Sequence, residues 1–248
     1  MVPPGAPKKG GSNLARPPEG RSPLVILLFG PPGSGKGTQA AYIVSRLHIP
    51  SISTGDMLRT ELQLGTPLGN AAAAVISSGG LVSDDLVNAM LAERLLQPDC
   101  RDGFLLDGYP RTVSQAVFLD AFLSRKGLPQ PLVIHLDVPE ESLISRISSR
   151  RQCPTCGRIY NLLHNPPKLD ELCDLDATPL VRRKDDQEEV VRERLRAFEE
   201  ITRMVESHYT GGCYHKLDGD RPAEEVSADI GKILSQRASS GVARSEAV

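Results

Sequence analysis

Short apolar runs alternate with stretches of helical periodicity along most of the chain. Runs dominated by apolar residues occupy 24–29, 104–107, 132–138 and 214–217. The longer ones are typical of strands that are buried on both faces of a parallel sheet. Segments between them have helical spacing, and a long charged helix is predicted to begin near Asp186 and to include Val205. This order predicts an α/β fold with a doubly wound, mostly parallel sheet.

Two terminal segments and one internal segment depart from this alternation. Residues 1–22 are rich in Pro, Gly, Ser and basic side chains and predict a flexible tail, although a targeting function stays open. Residues 238–248 predict a second flexible tail. Residues 152–180 contain three cysteines and four prolines but little periodicity, so they predict a small irregular insertion. Something other than a hydrophobic core has to order that insertion.

Composition argues against several classes of partner. Twenty-nine basic and thirty-one acidic residues leave a net charge of −2, so no overall field attracts nucleic acid or an anionic membrane. The longest apolar run, residues 24–29, is far shorter than the ~20 residues that a membrane-spanning helix needs. Five cysteines, three of them close together, favour a metal site in a reducing compartment over a disulfide framework. We expect a cytoplasmic monomer that binds neither nucleic acid nor a membrane.

A glycine-rich loop follows the first predicted strand. The residues GPPGSGKGT, from Gly30 to Thr38, lie between a strand and a helix, which is the setting of a phosphate-binding P-loop. In such loops backbone N–H groups and the helix dipole hold the phosphates, and the lysine, here Lys36, reaches the β- and γ-phosphates. The strict pattern has Ser or Thr directly after the lysine, whereas here Gly37 precedes Thr38. A glycine-rich turn with an incidental lysine is the alternative interpretation.

Other charged residues are candidates for the same chemistry. Asp107 ends the second predicted strand, where a P-loop enzyme places a carboxylate near magnesium, although an Asp at a strand end more often caps a turn or helix. Transfer of a phosphoryl group to a phosphate needs no general base, but it needs guanidinium groups that offset charge. The candidates are Arg59, Arg111, Arg146, Arg150, Arg183 and Arg194. From composition alone, each is better explained as a solvated surface residue.

The irregular insertion contains a candidate metal site. Two short ligand pairs are separated by a loop, as in a tetrahedral zinc site, and they are Cys153-x-x-Cys156 and Cys173-x-x-Asp176. Four protein ligands leave no position for water, so we expect a structural zinc ion that orders the insertion. Reduced cysteines with a solvated Asp176 are one alternative, and His164 as the fourth ligand is another. Cys100 and Cys213 are expected to be ordinary buried residues.

Together these motifs resemble those of the adenylate kinases, and specifically the long type with an extended lid. The resemblance covers residues from about 24 to 234 and rests on the segments GPPGSGKGTQA, ISTGDMLR, GLVSDDLV, FLLDGYPRTVSQA, RISSRR and RKDDQEEVVRERL. The loop of this family has Gly between Lys and Thr, which accounts for Gly37. The resemblance implies a domain at 23–237 with a P-loop core, a helical AMP-binding insertion at about 53–82 and a small zinc-stapled lid at about 149–186. It also implies reversible, magnesium-dependent phosphoryl transfer from ATP to AMP, which gives two ADP and balances adenine nucleotides.

The resemblance implies a role for each matching residue. The P-loop residues that would hold the phosphates of ATP are Gly33, Ser34, Gly35, Lys36, Gly37 and Thr38. Other contacts to ATP are implied for Arg146, Arg150, Ile159, Tyr160 and Arg221. Contacts to AMP are implied for Thr54, Arg59, Gly80, Leu81, Val82, Gly108, Tyr109, Pro110, Arg111 and Gln115. The transfer itself is implied to involve Lys36, Arg111, Arg150, Arg183, Arg194 and, near magnesium, Asp107. Zinc lids with a Cys, Cys, Cys, Asp set also occur in the family.

The choice of nucleotides stays partly open. Thr54 and Gln115 favour AMP, because the similar pyrimidine monophosphate kinases usually have Ala and Asn there, but both residues are also able to cap helices. A UMP/CMP kinase and a GTP:AMP phosphotransferase are therefore alternatives. Tyr109 stands where the family usually has Phe, a change that we expect to matter little. A P-loop switch or a zinc-stabilised interaction module is the alternative from another class, but the sequence has no NKxD guanine-reading motif.

Overall fold

The computed structural model describes residues 22–242, except 79 and 212. Its strands are β1 (Leu24–Phe29), β2 (Ser51–Ser53), β3 (Gly103–Asp107), β4 (Leu132–Asp137), β5 (Arg150–Gln152), β6 (Ile159–Asn161) and β7 (Tyr214–Asp218). Its α-helices are α1 (Lys36–Leu47), α2 (Thr54–Leu64), α3 (Pro67–Ser78), α4 (Asp84–Leu95), α5 (Val113–Arg125), α6 (Glu140–Ser148), α7 (Glu188–Ala197), α8 (Arg203–Glu206) and α9 (Ala223–Val242). Shorter 3₁₀ turns occur at Pro98–Cys100 and Lys184–Asp186.

A five-stranded parallel sheet in the order β2-β3-β1-β4-β7 forms the centre of the fold. The middle strand β1 is apolar on both faces, because helices cover both sides of the sheet. Val25 and Leu27 pack with residues of α4 and α5 on one face, whereas Ile26 and Leu28 pack with α1 and α9 on the other. The doubly wound α/β fold predicted from the apolar runs is confirmed.

The strand ends position the functional loops. β1, β2 and β3 run in parallel and finish side by side, with Leu28 opposite Asp107 and Ser53 opposite Asp107 in the strand registers. β1 continues into the glycine-rich loop and α1, and β2 continues directly into α2, whose N-cap is Ser53. In open α/β sheets the crevice beyond the carboxyl ends of the strands is where ligands bind. The very short strand β2 was not predicted, since three residues give too little pattern.

The irregular insertion forms a small unit with a core of its own. Strands β5 and β6 pair in antiparallel fashion, and a bridge between Gln152 and Val181 joins the start of the insertion to its end. Buried Cys153, Tyr160 and Cys173 pack together with one leucine, so the hydrophobic core of this unit is very small. The predicted lack of helical structure between residues 152 and 180 agrees with this arrangement.

Of two predictions about the C-terminal part, one is refined by the structure and the other is wrong. The long helix expected from near Asp186 runs without a gap from Glu188 to Glu206, but it contains a π-helical turn at Phe198–Thr202 between α7 and α8. The apolar positions alone are compatible with an unbroken helix and therefore gave no sign of that turn. Helix α9 continues to Val242, so residues 238–242 are helical where a flexible tail was predicted. Of the tails predicted at 1–22 and 238–248, residues 1–21 and 243–248 lie outside the described residues. Within those residues, no helix is long and apolar enough to cross a membrane.

Candidate phosphoryl-transfer site

Two glycines in the loop between β1 and α1 stand where a side chain is poorly tolerated. A Cβ atom on Gly30 would lie 2.7 Å from the carbonyl oxygen of Leu136, and Gly35 has a φ of 92° in the left-handed region, so neither position accepts a side chain easily. The buried hydroxyl of Ser34 has no hydrogen-bond partner within the described part of the chain. An unpaired buried hydroxyl at a helix N-terminus suits an incoming phosphate oxygen.

Lys36 lies inside this loop and next to a carboxylate. Its ammonium group donates hydrogen bonds to the carbonyl oxygens of Gly30 (2.8 Å) and Pro31 (2.9 Å). Burial lowers the pKa of Lys36 to about 8, although the nearby carboxylate of Asp107 acts in the opposite direction. Burial likewise raises the pKa of Asp107, while Lys36 opposes that shift. A phosphate near Lys36 would restore the pKa of the ammonium group, because opposite charges favour the charged form.

Two arginines that flank the irregular insertion meet two adjacent aspartates, one of them buried and the other partly buried. Arg150 forms a bidentate pair with the fully buried Asp186. Arg194 on α7 donates to the carboxylate of Asp185 at 3.0 Å and lies 3.5 Å from that of Asp186. Burial opposes the charged form of Arg150, yet the hydrogen bond to Asp186 raises its pKa overall. Burial lowers the pKa of Arg194 to about 10.

Three further arginines complete the cluster. Arg59 on α2 pairs with Asp56 in its own helix and lies 3.7 Å from Asp185, so it connects α2 to the end of the insertion. Arg183 is 4.0 Å from Asp56, and burial lowers its pKa to about 10. Arg111 donates to the carbonyl oxygen of Gly108 at 2.8 Å, and burial lowers its pKa as well. Two of these aspartates, Asp56 and Asp185, bridge arginines that are far apart in sequence.

The charges in this cluster do not balance. Six cations lie here, and they are Lys36, Arg59, Arg111, Arg150, Arg183 and Arg194. Among the described residues, four carboxylates face them, and these are Asp56, Asp107, Asp185 and Asp186. Excess positive charge is costly without a counterion even where it is only partly buried, so the arrangement is suited to polyanionic ligands. The resemblance pointed to the arginines, whereas Asp56, Asp185 and Asp186 were missed because each also faces an arginine that is distant in sequence.

Comparison with known proteins identifies the family. The adenylate kinase family model matches residues 28–213. The adenylate kinase of Exiguobacterium sibiricum is 44% identical over 212 residues, which is 85% of this chain and 99% of the relative. That of Anaeromyxobacter sp. strain K is also 44% identical over 212 residues, again 85% of this chain and 99% of the relative. That of Oceanobacillus iheyensis is 45% identical over 215 residues, which is 86% of this chain and all of the relative.

The chain belongs to the adenylate kinase family. The resemblance inferred from the sequence motifs is thereby confirmed.

The residues expected to read the acceptor base are already hydrogen-bonded within the protein. Thr54 is buried and its hydroxyl donates to the carbonyl oxygen of Gly108 at 3.1 Å. The buried side chain of Gln115 accepts from the backbone N–H of Arg111 at 2.8 Å and donates to Asp84 at 2.8 Å. Asp84, at the start of α4, also accepts from the hydroxyl of Thr112 at 2.7 Å. Sequence reasoning did not single out Asp84.

Tyr109 departs from the usual pattern of the family in more than size. The side chain is fully buried, and its hydroxyl donates to Asn88 at 2.6 Å and lies 3.1 Å from the carbonyl oxygen of Gln115. It therefore links α4 to the first turn of α5. The expectation that this change matters little did not consider the hydroxyl, since a phenylalanine would leave buried Asn88 without that donor. Next to it, Pro110 is also buried, and the Tyr109–Pro110 bond is cis.

The three residues at 80–82, shortly before α4, differ in how deeply they are buried. Val82 is buried in the same core cluster as Leu58 of α2, whereas Gly80 and Leu81 are only partly buried. Their contacts to a nucleotide stay predictions.

The residues expected around the rest of ATP do not join the arginine cluster. Arg146 donates to the carbonyl oxygen of Gly219 at 2.9 Å and to Asp220 at 3.0 Å. Arg221, in the same loop after β7, pairs with Asp229 at 2.8 Å. In the irregular insertion, Tyr160 is buried and Ile159 is exposed. These four residues border the loop after β7 and the insertion, and their contacts to ATP stay predictions.

The predicted metal ligands come together in the irregular insertion. One sulfur or carboxylate atom of each lies within 4.8 Å of the others, and the four residues are Cys153, Cys156, Cys173 and Asp176. Cys156 Sγ is 3.6 Å from Cys173 Sγ, and Cys153 Sγ is 3.5 Å from Asp176 Oδ1. A tetrahedral zinc site with Zn–S bonds of about 2.3 Å has sulfur atoms about 3.8 Å apart. The cluster therefore fits a metal ion of that size.

The surroundings of the cluster narrow the choice of ligands. The backbone N–H of Thr178 lowers the pKa of Asp176 to about 2, so this ligand is a carboxylate. The hydroxyl of Tyr160 lies 3.4 Å from Cys173 Sγ. His164 is exposed and is not part of the four-residue group. Outside the insertion, Cys100 is buried as expected, whereas Cys213 is only partly buried and corrects that expectation.

Proposed function

We propose that this protein transfers the γ-phosphoryl group of ATP to AMP, reversibly and with magnesium, to give two ADP. The observation that supports the proposal most directly is the excess of partly buried cations beside the glycine-rich loop. Two nucleotides placed end to end bring their phosphates to one point, and guanidinium forks with Lys36 are suited to hold them there. Family membership makes this reaction the first expectation.

The chemistry asks little of the protein beyond charge and position. The phosphate of AMP is already an anionic nucleophile, so no residue has to remove a proton. Lys36 and the loop N–H groups would hold the phosphates of ATP, while Arg59 and Arg111 would hold that of AMP. Arg183 and Arg194 would offset the charge on the transferring group, which in such reactions is the main contribution of the protein.

The aspartates of the cluster would exchange partners during binding. Arg150 is bound to Asp186, and Arg194 to Asp185, so each arginine has to turn from a carboxylate to a phosphate oxygen. Asp107 and the hydroxyl of Thr38 are the groups that would hold a magnesium ion. The ion arrives with ATP and neutralises part of the phosphate charge.

We also propose that residues of about 53–82 form the AMP-binding region and residues of about 149–186 form a lid. Contacts between Arg59 and Asp185 and between Arg183 and Asp56 connect the two regions across the site. A closed lid excludes water, which would otherwise compete with AMP for the phosphoryl group. A cytoplasmic monomer fits this proposal, because the cysteine ligands need a reducing compartment.

A coupled assay tests the proposed reaction. ATP, GTP and CTP are crossed as donors with AMP, CMP and UMP as acceptors. We expect ATP with AMP to give the highest kcat/KM. Faster turnover of CMP or UMP would replace the proposal with a pyrimidine kinase, and faster turnover with GTP would replace the donor. If the protein formed no ADP from ATP and AMP in the presence of magnesium, the proposed reaction would be wrong and only nucleotide binding would remain.

A variant pair connects the activity to the arginine cluster. Arg111→Lys keeps the charge but loses the planar fork, and it should lower kcat/KM by about 10–100-fold, which is typical for one charge-assisted contact. Arg125→Lys, on the exposed last turn of α5, is the matched control and should leave kcat/KM unchanged. Equal activities of the two variants would contradict the role of Arg111.

We further propose that the four-residue cluster holds one structural zinc ion. The purified protein should contain about one zinc per chain, and Cys156→Ser should lose it and lower Tm, since the insertion has only a small core. Cys213→Ser is the control and should keep the metal. A protein free of metal with an unchanged Tm would refute this proposal.

A further inference from the structure

The orientation of one side-chain amide at the proposed AMP site is fixed from both ends. The Oε1 atom of Gln115 accepts the backbone N–H of Arg111, and its Nε2 atom donates to Asp84 Oδ1. A backbone N–H is only a donor and a carboxylate is only an acceptor. This assignment therefore does not depend on which way the amide is drawn, because the flipped amide would place donor against donor and acceptor against acceptor.

We propose that Asp84 is a specificity-determining residue that selects a 6-aminopurine over a 6-oxopurine by fixing the amide of Gln115. With one donor and one acceptor used internally, the amide keeps one N–H and one lone pair in a set order. Adenine offers an N6 donor beside an N1 acceptor, and a 6-oxopurine offers the reverse. A fixed amide pairs with one of these edges, whereas a freely rotating amide pairs with both.

The local structure holds Asp84 itself in place. Its second oxygen accepts the hydroxyl of Thr112 at 2.7 Å, and that same hydroxyl oxygen accepts the backbone N–H of Gln115 at 3.1 Å. Gln115 is 3% exposed, so water competes little for these contacts. The carboxylate thus joins the first turn of α4 to the first turn of α5 and leaves the amide no second arrangement.

The inference rests on the proposed function, since it assumes that Gln115 faces the acceptor base. A purely structural use of Asp84 makes a different prediction. If Asp84 only joined α4 to α5, its loss would weaken the use of every acceptor to the same extent. If it fixes the amide, its loss changes the ratio between acceptors.

The test uses the full chain with AMP and inosine 5′-monophosphate (IMP), each as acceptor, and IMP also as a competitive inhibitor of AMP. Asp84→Asn is the informative variant, because its carboxamide can present either an oxygen or an NH₂ group to Gln115. We expect the ratio of kcat/KM for AMP to that for IMP to fall at least 10-fold, with the inhibition constant of IMP falling relative to the KM of AMP. Asp85→Asn removes the same charge from the same helical turn at an exposed position and should keep the ratio.

The outcomes separate the inference from the proposed function. A wild-type protein that does not phosphorylate AMP overturns the proposed function, whatever Asp84 does. A wild-type protein that prefers AMP, with a ratio in Asp84→Asn within twofold of its own, overturns the inference alone. Asp84→Ala, together with thermal unfolding of all variants, covers the case in which Asp84→Asn does not fold, and it should lower the ratio in the same direction.

Discussion

Acid should destabilise this protein through one histidine in the middle of the sheet. His135 on β4 is 3% exposed, and its Nδ1 atom lies 2.6 Å from the hydroxyl of Tyr214. Its Nε2 atom has no hydrogen-bond partner within residues 22–242 as far as they are described. Burial lowers the pKa of His135 to about 4, and positive neighbours, among them Lys216, act in the same direction while Asp137 opposes them.

The magnitude follows from the two pKa values. An unfolded histidine has a pKa of about 6.5, so a folded value of about 4 corresponds to at most about 3 kcal/mol. Because the folded pKa is the lower one, this stability is present above pH 6.5 and is lost as the pH falls towards 4. Between pH 8 and pH 5 the loss from this group is about 2 kcal/mol. Glu206 lies 3.5 Å from the ring, and its carboxylate would stabilise a protonated imidazole. Burial raises the pKa of this carboxyl, however, so that stabilisation weakens as the pH falls.

Urea unfolding between pH 8 and pH 5 measures the effect. The free energy of unfolding of the wild-type protein should fall by about 2 kcal/mol more than that of His135→Gln over this range, because glutamine does not titrate. His164→Gln, at an exposed position, should follow the wild-type slope. If His135→Gln is too unstable, the double variant His135→Leu/Tyr214→Phe keeps the comparison possible. Parallel profiles for wild type and His135→Gln would refute the reasoning.

Two further predictions concern packing. Tyr109→Phe should lower the free energy of unfolding by about 1–3 kcal/mol, because Asn88 stays buried without its donor, and adding Asn88→Leu should restore part of it. If urea unfolding gave the same loss of free energy of unfolding for the single and the double variant, the prediction for Tyr109 would be contradicted. Gly69→Ala should lower the free energy of unfolding by about 1–3 kcal/mol. A Cβ atom at residue 69 would lie 2.2 Å from the carbonyl oxygen of Glu61 and would push α3 away from α2. Ala71→Ser, exposed on the same helix, is its control, and a Tm of Gly69→Ala equal to that of the control would sink the prediction.

The sheet and its main loop were predictable from local pattern. β1 has the bounds that its apolar run indicated, because a strand covered by helices on both faces has no polar position to confuse the pattern. The glycine-rich loop could also be predicted from local sequence, since its motif consists of consecutive residues. The spacing of the cysteines likewise indicated the cluster that the structure brings together.

The partners across the site were not predictable in this way. Nothing local distinguishes Arg194 from a surface arginine, and only resemblance to a family singled it out. Asp84 and Asp186 were not predicted as site residues, because their partners are distant in sequence. Gln115 is 31 positions from Asp84, and Arg150 is 36 positions from Asp186. The hydroxyl of Tyr109 was undervalued for the same reason, since its acceptor on α4 is 21 residues earlier.

The pairing of Arg150 with Asp186 and of Arg194 with Asp185 has a consequence for how tightly any polyphosphate is held. Asp185 and Asp186 are anions of the protein itself that already pair with these arginines. A ligand that displaces them gains only the difference in free energy between a phosphate contact and a carboxylate contact. If the two arginines hold phosphates as proposed, turnover benefits, because the aspartates pair with the guanidinium groups again as soon as the nucleotide leaves. Under that proposal, the same two aspartates set both the affinity for the ligand and the rate of its release.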